Sequence, residues 1–417
     1  MRKLIFTTLL AVFAFTTYAQ SIDDIKDLVG KQQWDKAKDQ IDKYLANEKN
    51  AKKADGWFYK GVIYNEIGKS DKYKSLVTGD ARMEAFNSLK KYIELDPKNI
   101  LGTIEQNVRF FDIYNGYFDL AANSFNSKNY DVAYENFKNA NMVEDYVASK
   151  GFSYNNFSFP KLDTSLLQNT GVSALMAKKT DDAVIYYQKL ADAKVTGKSY
   201  LEIYQFLVQY YNDKGDKVNR DKYLALGREL YPEDDYWVEA ELKDAGTDKQ
   251  KLYAKYDELI QRYPTKYLIH YNYAAELFNY LFTQDKKPAD YGAVYTKLQD
   301  VLKKAIAIKP TPEANLLAAR TVYNGIYDLE DASNAIKCTK PDDVKKKNDL
   351  KTQIAARFEE MQPYAQSAFD PYAAKSSLKP GEKGNYKVAT DLLTRYWESK
   401  KNAEKVKFYQ DKMKDTN

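Results

Sequence analysis

The amino-acid sequence predicts an all-α fold, a superhelical solenoid of antiparallel helix pairs in which two hairpin loops are enlarged. The first observation behind this prediction is composition. The 417 residues include 37 Tyr but only 17 Gly and 11 Pro, and a shortage of helix breakers favours long helices. The second observation is an apolar stripe at helical spacing that recurs along the chain. The third is a constant separation between successive stripes, which is typical of a repeated structural unit.

The N-terminal residues form a pattern separate from the repeats. Arg2 and Lys3 precede the uncharged apolar run 4–15, and the small residues Thr17 and Ala19 then mark a predicted cut after Ala19. This arrangement is typical of a cleaved secretory signal peptide, so we expect the mature protein to be periplasmic or secreted. The alternative is an uncleaved signal anchor, although the apolar run is shorter than the roughly 20 residues that span a bilayer.

Charge and residue counts argue against several kinds of function. The formal net charge of +5 falls by two, to +3, when Arg2 and Lys3 leave with the signal peptide. Lysines and acidic residues are interspersed, so the clustered basic surface expected of a nucleic-acid-binding protein is missing. Cys338 is the only cysteine and His270 the only histidine, which argues against an intramolecular disulfide and a His/Cys zinc site. No second long apolar run exists, so we expect no membrane span after signal cleavage.

One stripe marks the predicted second helix of each pair. A small or apolar residue is followed by apolar or small residues at +4 and +7, which places the three on one helix face. In three copies a proline at +12 ends the helix, because proline cannot continue it. The copies with proline begin at Ala85, Arg220 and Leu298 and end at Pro97, Pro232 and Pro310, and those without it begin at Ala37, Ala133 and Ala183.

The predicted first helix of each pair has its own stripe around a compact residue. From that residue to the start of the second stripe is 12 residues in three pairs and 24 in two others. We interpret the extra length, which includes 69–79 and 283–292, as enlarged hairpin tips on the same edge of the solenoid. A glycine inside a helix costs about 1 kcal/mol, which makes sense if it admits a partner side chain. The central residues are Gly61, Ala121, Gly171, Val208 and Ala274.

Together these stripes resemble the tetratricopeptide repeat family over about residues 21–329. The best-matching copy consists of Trp57, Gly61, Tyr64, Ala85, Leu89 and Pro97. Tyr92 stands where the family has a second alanine, and Arg220 and Leu298 are larger than the expected small residue. We expect Arg220 either to splay its helix pair or to extend its charged end to water. The resemblance implies stacked helix hairpins with an extended concave face.

The resemblance also implies where a partner would bind. In this family the concave face is lined mainly by the first helix of each pair. Carried over to this sequence, the lining mixes aromatic rings with amides and lacks Lys and Arg, which suits an extended peptide. For any one aromatic residue the alternative is a place in the helix packing. The candidate contact residues are Tyr59, Asn65, Phe118, Phe125, Asn169, Gln205, Gln209, Asn212, Tyr271, Asn272, Phe278 and Asn279.

The chain divides into four predicted parts. A signal peptide, 1–19, precedes the helical repeat array, 20–330, and a helical extension, 331–375, precedes a C-terminal helix pair, 376–417. Within the extension we predict one helix over 350–361 and another, begun by Pro363, over 364–369. The segment 376–385 contains Pro and Gly and predicts a linker, and the uncharged aromatic segment 151–160 predicts an ordered loop.

The sequence contains no motif for nucleophilic, metal-dependent or nucleotide-dependent catalysis. We therefore predict no enzyme activity, no metal and no cofactor. The leading hypothesis is an exported scaffold that binds a protein or peptide. The alternative is a glycan-binding repeat protein of the cell envelope, because sugars stack on rings and hydrogen-bond to amides, and the aromatic loop 151–160 would supply rings.

Overall fold

The structure is a computed structural model that describes residues 21–284, 286–337 and 340–414. The predicted signal peptide and Cys338 lie outside the described residues. Within them the regular elements are helices, beside one isolated bridge between Tyr154 and Phe157, so the all-α fold class is confirmed. None of the described helices has the length and apolar character needed to cross a membrane. The chain forms two compact units that meet in sequence at Pro232 and Glu233, a division the sequence did not predict.

The first unit consists of consecutive antiparallel helix hairpins. Within residues 21–232, α1 packs on α2, α3 on α4, α6 on α7, α8 on α9, and α10 on α11. The bounds are α1 Ile22–Gly30, α2 Trp34–Ala46, α3 Ala54–Lys69, α4 Ala81–Leu95, α5 Ile100–Ile104, α6 Val108–Asn126, α7 Tyr130–Lys150, α8 Thr164–Met176, α9 Thr180–Asp192, α10 Leu201–Asp213 and α11 Lys217–Leu230.

The second unit repeats this hairpin arrangement and contains the two longest of the described helices. In it α12 packs on α13, α14 on α15, α16 on α17, and α18 on both α17 and α19. The bounds are α12 Tyr236–Asp244, α13 Lys249–Arg262, α14 Tyr267–Phe282, α15 Tyr291–Ile308, α16 Pro312–Asn334, α17 Pro341–Ala373, α18 Pro380–Ser399 and α19 Ala403–Lys414.

A recurring three-residue turn accounts for the constant spacing of the stripes. The turns 127–129, 177–179 and 214–216 join the three pairs whose stripes are 12 residues apart. In each turn the middle residue, Lys128, Lys178 or Gly215, has a positive φ. The amide of the next residue bonds the carbonyl five positions back, as in Asn129 to Ser124 at 2.8 Å. This is a Schellman ending, which satisfies free carbonyls of the first helix while reversing the chain.

The compact residues of the first helices lie against bulky residues of the second helices. A Cβ added to Gly61 would be 2.6 Å from the side chain of Leu89, and one added to Gly171 would be 2.3 Å from the ring of Tyr187. Real Cβ atoms essentially never come that close. Glycine at these positions therefore lets two helices approach closely enough for one bulky side chain to fill the space between them.

The remaining residues of the stripes fill the same interfaces. Ala85, Ala121, Ala133, Ala183 and Ala274 are fully buried, as is Leu298. Tyr64 is buried, whereas Trp57 is half-buried and its indole N–H donates to the carbonyl of Ala51 at 2.9 Å. The prolines Pro97, Pro232 and Pro310 each come two residues after the last residue of α4, α11 and α15.

Arg220 does not extend to water as one of our two alternatives required. Its side chain is buried on the stripe of α11, and its guanidinium pairs with Asp221 at 3.1 Å. The carboxylate of Asp221 balances the charge of this buried side chain. The longer connections expected at 69–79 and 283–292 correspond to segments outside the α-helices. These are 70–80, which contains the 3-10 turn Asp71–Leu76, and, among the described residues, 283–284 and 286–290.

One helix pair was missed from the sequence. The hairpin α12–α13 lies between the predicted pairs, and Leu252, Tyr256, Leu259 and Pro264 follow the +4, +7 and +12 pattern of the second helices. Tyr256 and Leu259 are buried in the core of the second unit. The pattern was present, and the compact residue Ala240 at the centre of the short α12 stands the usual 12 residues before Leu252.

The structure corrects two predictions in the C-terminal part. The separate helices predicted over 350–361 and 364–369 form one helix, α17, which contains Pro363 and Pro371. An internal proline costs about 3 kcal/mol, and the burial of Ala365, Ala368 and Phe369 against α16 and α18 offsets it. The predicted linker 376–385 is also shorter, because α18 begins at Pro380.

The Gly171→Ala variant tests the close approach in the α8–α9 hairpin. Overpacking against Tyr187 should lower the free energy of unfolding by about 1–3 kcal/mol, measured by urea denaturation. Gly30→Ala is the control, since nothing lies within 4 Å of the Cβ it would add. Adding Tyr187→Ala should remove part of the penalty in a double-mutant cycle. Equal stability of Gly171→Ala and the parent chain would contradict this assignment.

His270 offers a second test, because it is the only histidine in the chain. It is fully buried in α14, and its Nε2–H donates to the carbonyl of Pro264 at 3.0 Å. Burial lowers the pKa of the imidazole, so the folded state resists protonation and loses stability as pH falls below about 6.5. In NMR the single imidazole C2–H resonance should titrate below pH 6.5. A midpoint at or above that of the urea-unfolded chain would refute this placement.

Candidate functional site

A shallow cavity of about 160 Å³ opens between α6 and α8 in the first unit. Two predicted contact residues, Phe125 and Asn169, line it together with the neighbouring first-helix residues Ala122 and Val172. Asn169 is exposed and Phe125 half-buried. No charged side chain is among the lining residues, which are Ala122, Phe125, Asn126, Phe137, Asn169 and Val172. The structure therefore places these two predicted contact residues, from two different helices, around one cavity.

Phe137 was placed in the core by its position on the α7 stripe, yet it also lines the cavity. Its side chain is buried, and its ring contacts Phe118 edge to face with centroids 5.7 Å apart. Phe125 makes a similar contact with Tyr130 at 5.3 Å. Because neighbouring rings hold these aromatic residues in place, the apolar wall is preorganised rather than formed on binding.

The predicted contact residues of α10 lie on the solvent side of that helix. Gln209 and Asn212 are exposed, and Gln205 is half-buried. The side-chain amide of Gln209 donates to Asp213 at 2.6 Å. Phe206, which lies next to Gln205, contacts the ring of Tyr187 with centroids 5.3 Å apart. These residues offer hydrogen-bonding groups but do not line the α6–α8 cavity.

The predicted contacts on α3 are largely closed by ion pairs with α6. Asn65 is 0% exposed, so it is not available to a partner and this prediction is corrected. Its amide reaches Asp112 at 3.5 Å, which also pairs with Lys69 at 2.6 Å. Arg109 bonds Glu66 at 3.0 Å across the same contact. Tyr59 remains half-buried.

In the second unit the predicted face is partly covered. Phe278 is only 4% exposed, which corrects its assignment as a contact residue. The guanidinium of Arg320 lies 4.6 Å from its ring centroid, so this face also carries an arginine that the first-helix residues did not predict. Asn279 is exposed, whereas Asn272 and Tyr271 are half-buried. Tyr271 stacks on Tyr267 with centroids 5.5 Å apart.

The aromatic segment 151–160 is an ordered loop that packs onto α6. Phe159 is buried and stacks on Phe111 at 5.0 Å, and it also contacts Tyr114 at 4.5 Å. Phe157 is 54% exposed, and its ring edge meets Phe159. Most ring faces in the loop are therefore occupied by other rings, which leaves little open aromatic surface for a sugar.

A second cavity, of about 380 Å³, was not predicted from the sequence. It lies between α7, the loop that ends in Asp163, α8 and α9, and it shares no lining residue with the α6–α8 cavity. Glu144 of α7 lines it, is only 5% exposed, and has a buried Oε2 with no hydrogen-bond partner. The sequence signal was available, since Glu144 continues the buried stripe Ala133, Phe137, Ala140 and Val147.

The surroundings of Glu144 disfavour its charged form. Burial, and then the nearby carboxylates of Asp163 and Asp145, raise the pKa of Glu144 to about 8. Asp163 is itself held in place, because its Oδ1 accepts the amide N–H of Leu166 at 2.8 Å and caps α8. Across the described residues no three His, Cys, Asp or Glu side chains form a group suited to a metal ion.

Comparison with known proteins gives only distant structural similarity. A scan against protein-family models and a search of curated proteins each found no match. A monomeric IFIT1 mutant solved with m7Gppp-AAAA is 16% identical, with a TM-score of 0.28 over 96% of this chain and 75% of that one. The human IFIT1 dimer with m7Gppp-AAAA is 16% identical in sequence, with a TM-score of 0.23 over 94% of each chain.

The Cut9–Hcn1 hetero-tetramer of the APC/C is 13% identical, with a TM-score of 0.19 over 94% of this chain and 86% of that one. Similarity at this level does not define a shared ligand or activity. The fold class of the protein, an all-α array of antiparallel helix pairs, follows from its own helices and their contacts.

Proposed function

We propose that the protein is an exported, non-catalytic scaffold that binds a protein or peptide partner on the first unit, around the α6–α8 cavity. The observation that carries this proposal is the cavity itself. Its wall is aromatic and aliphatic, its polar groups are the amides of Asn126 and Asn169, and no charge has to be desolvated when it is covered. Aromatic anchors surrounded by neutral polar groups are characteristic of binding hot spots.

The chemistry favours an extended peptide that inserts one apolar side chain. A cavity of about 160 Å³ is smaller than the roughly 300–1,000 Å³ of typical small-molecule sites. An apolar side chain in contact with Phe125 and Phe137 would gain hydrophobic free energy, and the amides of Asn126 and Asn169 could hydrogen-bond the peptide backbone. The glycan alternative has less support, since Phe157 is the only aromatic side chain of loop 151–160 that is exposed and could stack on a sugar.

Export of the chain is a separate part of the proposal. It rests on Arg2, Lys3, the apolar run 4–15 and the small residues before Gln20, which together have the organisation of a signal peptide. A periplasmic or secreted location would suit a stable scaffold without a disulfide, because its helix packing does not depend on the redox state of the compartment.

Peptide binding can be tested by selecting peptides from a random phage-displayed library on the mature chain. Asn169→Ala and Phe125→Ala should each weaken a selected peptide at least tenfold, which corresponds to about 1.4 kcal/mol, as measured by calorimetry. Val218→Ala is the control because Val218 is exposed on α11, away from the cavity. Circular dichroism would verify that both test variants fold. Peptides that bind all variants equally would contradict the proposed face.

Export can be tested by N-terminal sequencing of the protein secreted by a bacterial host. The mature chain should begin at Gln20, since cleavage after Ala19 requires a small residue at that position. Ala19→Phe should leave the precursor uncleaved, whereas Gln20→Asn should be processed normally. Recovery of the full-length chain in the cytoplasm, with Met1 present, would be inconsistent with the export signal.

A further inference from the structure

Glu144 is the feature of this molecule that neither the repeat packing nor the proposed peptide site uses. A carboxyl group on the buried stripe of a helix is costly unless something compensates it. Its Oε2 is buried without a hydrogen-bond partner, and the residue lines a cavity of about 380 Å³. The cavity is large enough for a small organic group, and its lining is not random in charge or polarity.

Glu144 is the buried carboxyl group of this cavity, whereas Asp163 is half-buried and Asp145 is exposed. The carboxylates of Asp163, at the start of α8, and Asp145, on α7, both raise the pKa of Glu144. Glu144 in turn raises the pKa of the Tyr114 hydroxyl on α6. The two cations of the lining, Lys161 of the loop and Lys189 of α9, are exposed to solvent. Neither lysine is among the groups that shift the pKa of Glu144.

The cavity also has an apolar side. Ala148 of α7, Phe159 and Leu162 of the loop, and Leu167 of α8 contribute to its lining. An alkyl chain lying along these side chains would be removed from water, and a cation near the ring of Phe159 would gain a further attraction. A ligand that matches both sides therefore combines a positive charge with a short apolar stem.

We propose that this cavity binds a primary ammonium group on a short apolar stem, with the carboxylate of Glu144 as its buried counter-ion and Asp163 as its second carboxylate. The group could come from a lysine side chain or from the amino terminus of a peptide. The site shares no lining residue with the α6–α8 cavity, so this proposal does not depend on the proposed peptide-binding function.

Binding at this site should release a proton. At pH 7 Glu144 is mainly protonated, because its pKa is about 8, whereas an alkylammonium remains charged. The neutral carboxyl group therefore gives its proton to the buffer as the ammonium enters, and the bound pair consists of one carboxylate and one ammonium. The affinity for the ammonium group should therefore increase as pH is raised towards 8, by up to about tenfold per pH unit.

Calorimetric titration of the full mature chain with three probes tests the proposal. Nα-acetyl-lysine N-methylamide represents a lysine side chain, leucine N-methylamide represents an amino terminus beside an apolar stem, and Nα,Nε-diacetyl-lysine N-methylamide is the neutral control. Binding of either ammonium probe, or of both, with close to one proton released at pH 7 supports the site and identifies the source. Absence of binding by both, or equal binding of the neutral probe, would overturn it.

Glu144→Gln should weaken the bound ammonium probe at least tenfold and abolish proton release. Glu135→Gln is the matched control, because Glu135 lies on the same helix but pairs on the surface with Lys179 at 3.1 Å. Folding is verified independently. Because burial raises the pKa of Glu144 from 4.5 to about 8, the unfolded chain loses this proton before the native state does, and native stability falls as pH rises through that range. Glu144→Gln should therefore melt higher than the parent chain at pH 9. Unchanged proton release in Glu144→Gln would contradict the proposal, because the released proton would then come from another group.

Discussion

The structure depends on one steric constraint, the close approach of two antiparallel helices within each hairpin. Gly61 admits Leu89 and Gly171 admits Tyr187, in each case between the centre of a first helix and the +4 position of the second. Small residues at these centres let a bulky residue fill the gap, and dense packing then stabilises both helices. A Cβ at either glycine would force the helices apart, so the spacing of each of these helix pairs depends on the absence of a Cβ at one position.

Tyrosine adds a polar component to this packing. In several tyrosines the ring is buried or half-buried and the hydroxyl donates to a carboxylate on a neighbouring element, so the polar end keeps a partner. Burial raises the pKa of these phenols, which keeps the hydroxyl protonated as a donor. Examples are Tyr64 with Asp42, Tyr117 with Asp80, Tyr291 with Asp328 and Tyr372 with Glu313.

The same packing decides which parts of the predicted face remain open. Between α3 and α6, pairs such as Lys69 with Asp112 close the surface, whereas between α6 and α8 no charged side chain lines the gap and a neutral cavity remains. A partner that covers this cavity has few ions to desolvate, which favours the binding of apolar side chains. The Glu144 cavity has the opposite character, because its buried carboxyl group favours a cationic ligand.

Local sequence was sufficient to determine that the protein is helical, where most helices lie, and which residues form the helix–helix stripes. Those features depend on spacing within one helix, and Ala121, Gly171 and Ala183 reveal it directly. Exposure depends instead on a third helix. Asn65 and Phe278 have the same local spacing as open positions, but α6 and Arg320 cover them. The course of α17 through Pro363, and the placement of Glu144 beside a cavity, were likewise decided by tertiary packing, because only contacts between distant segments compensate a broken hydrogen bond or a buried charge.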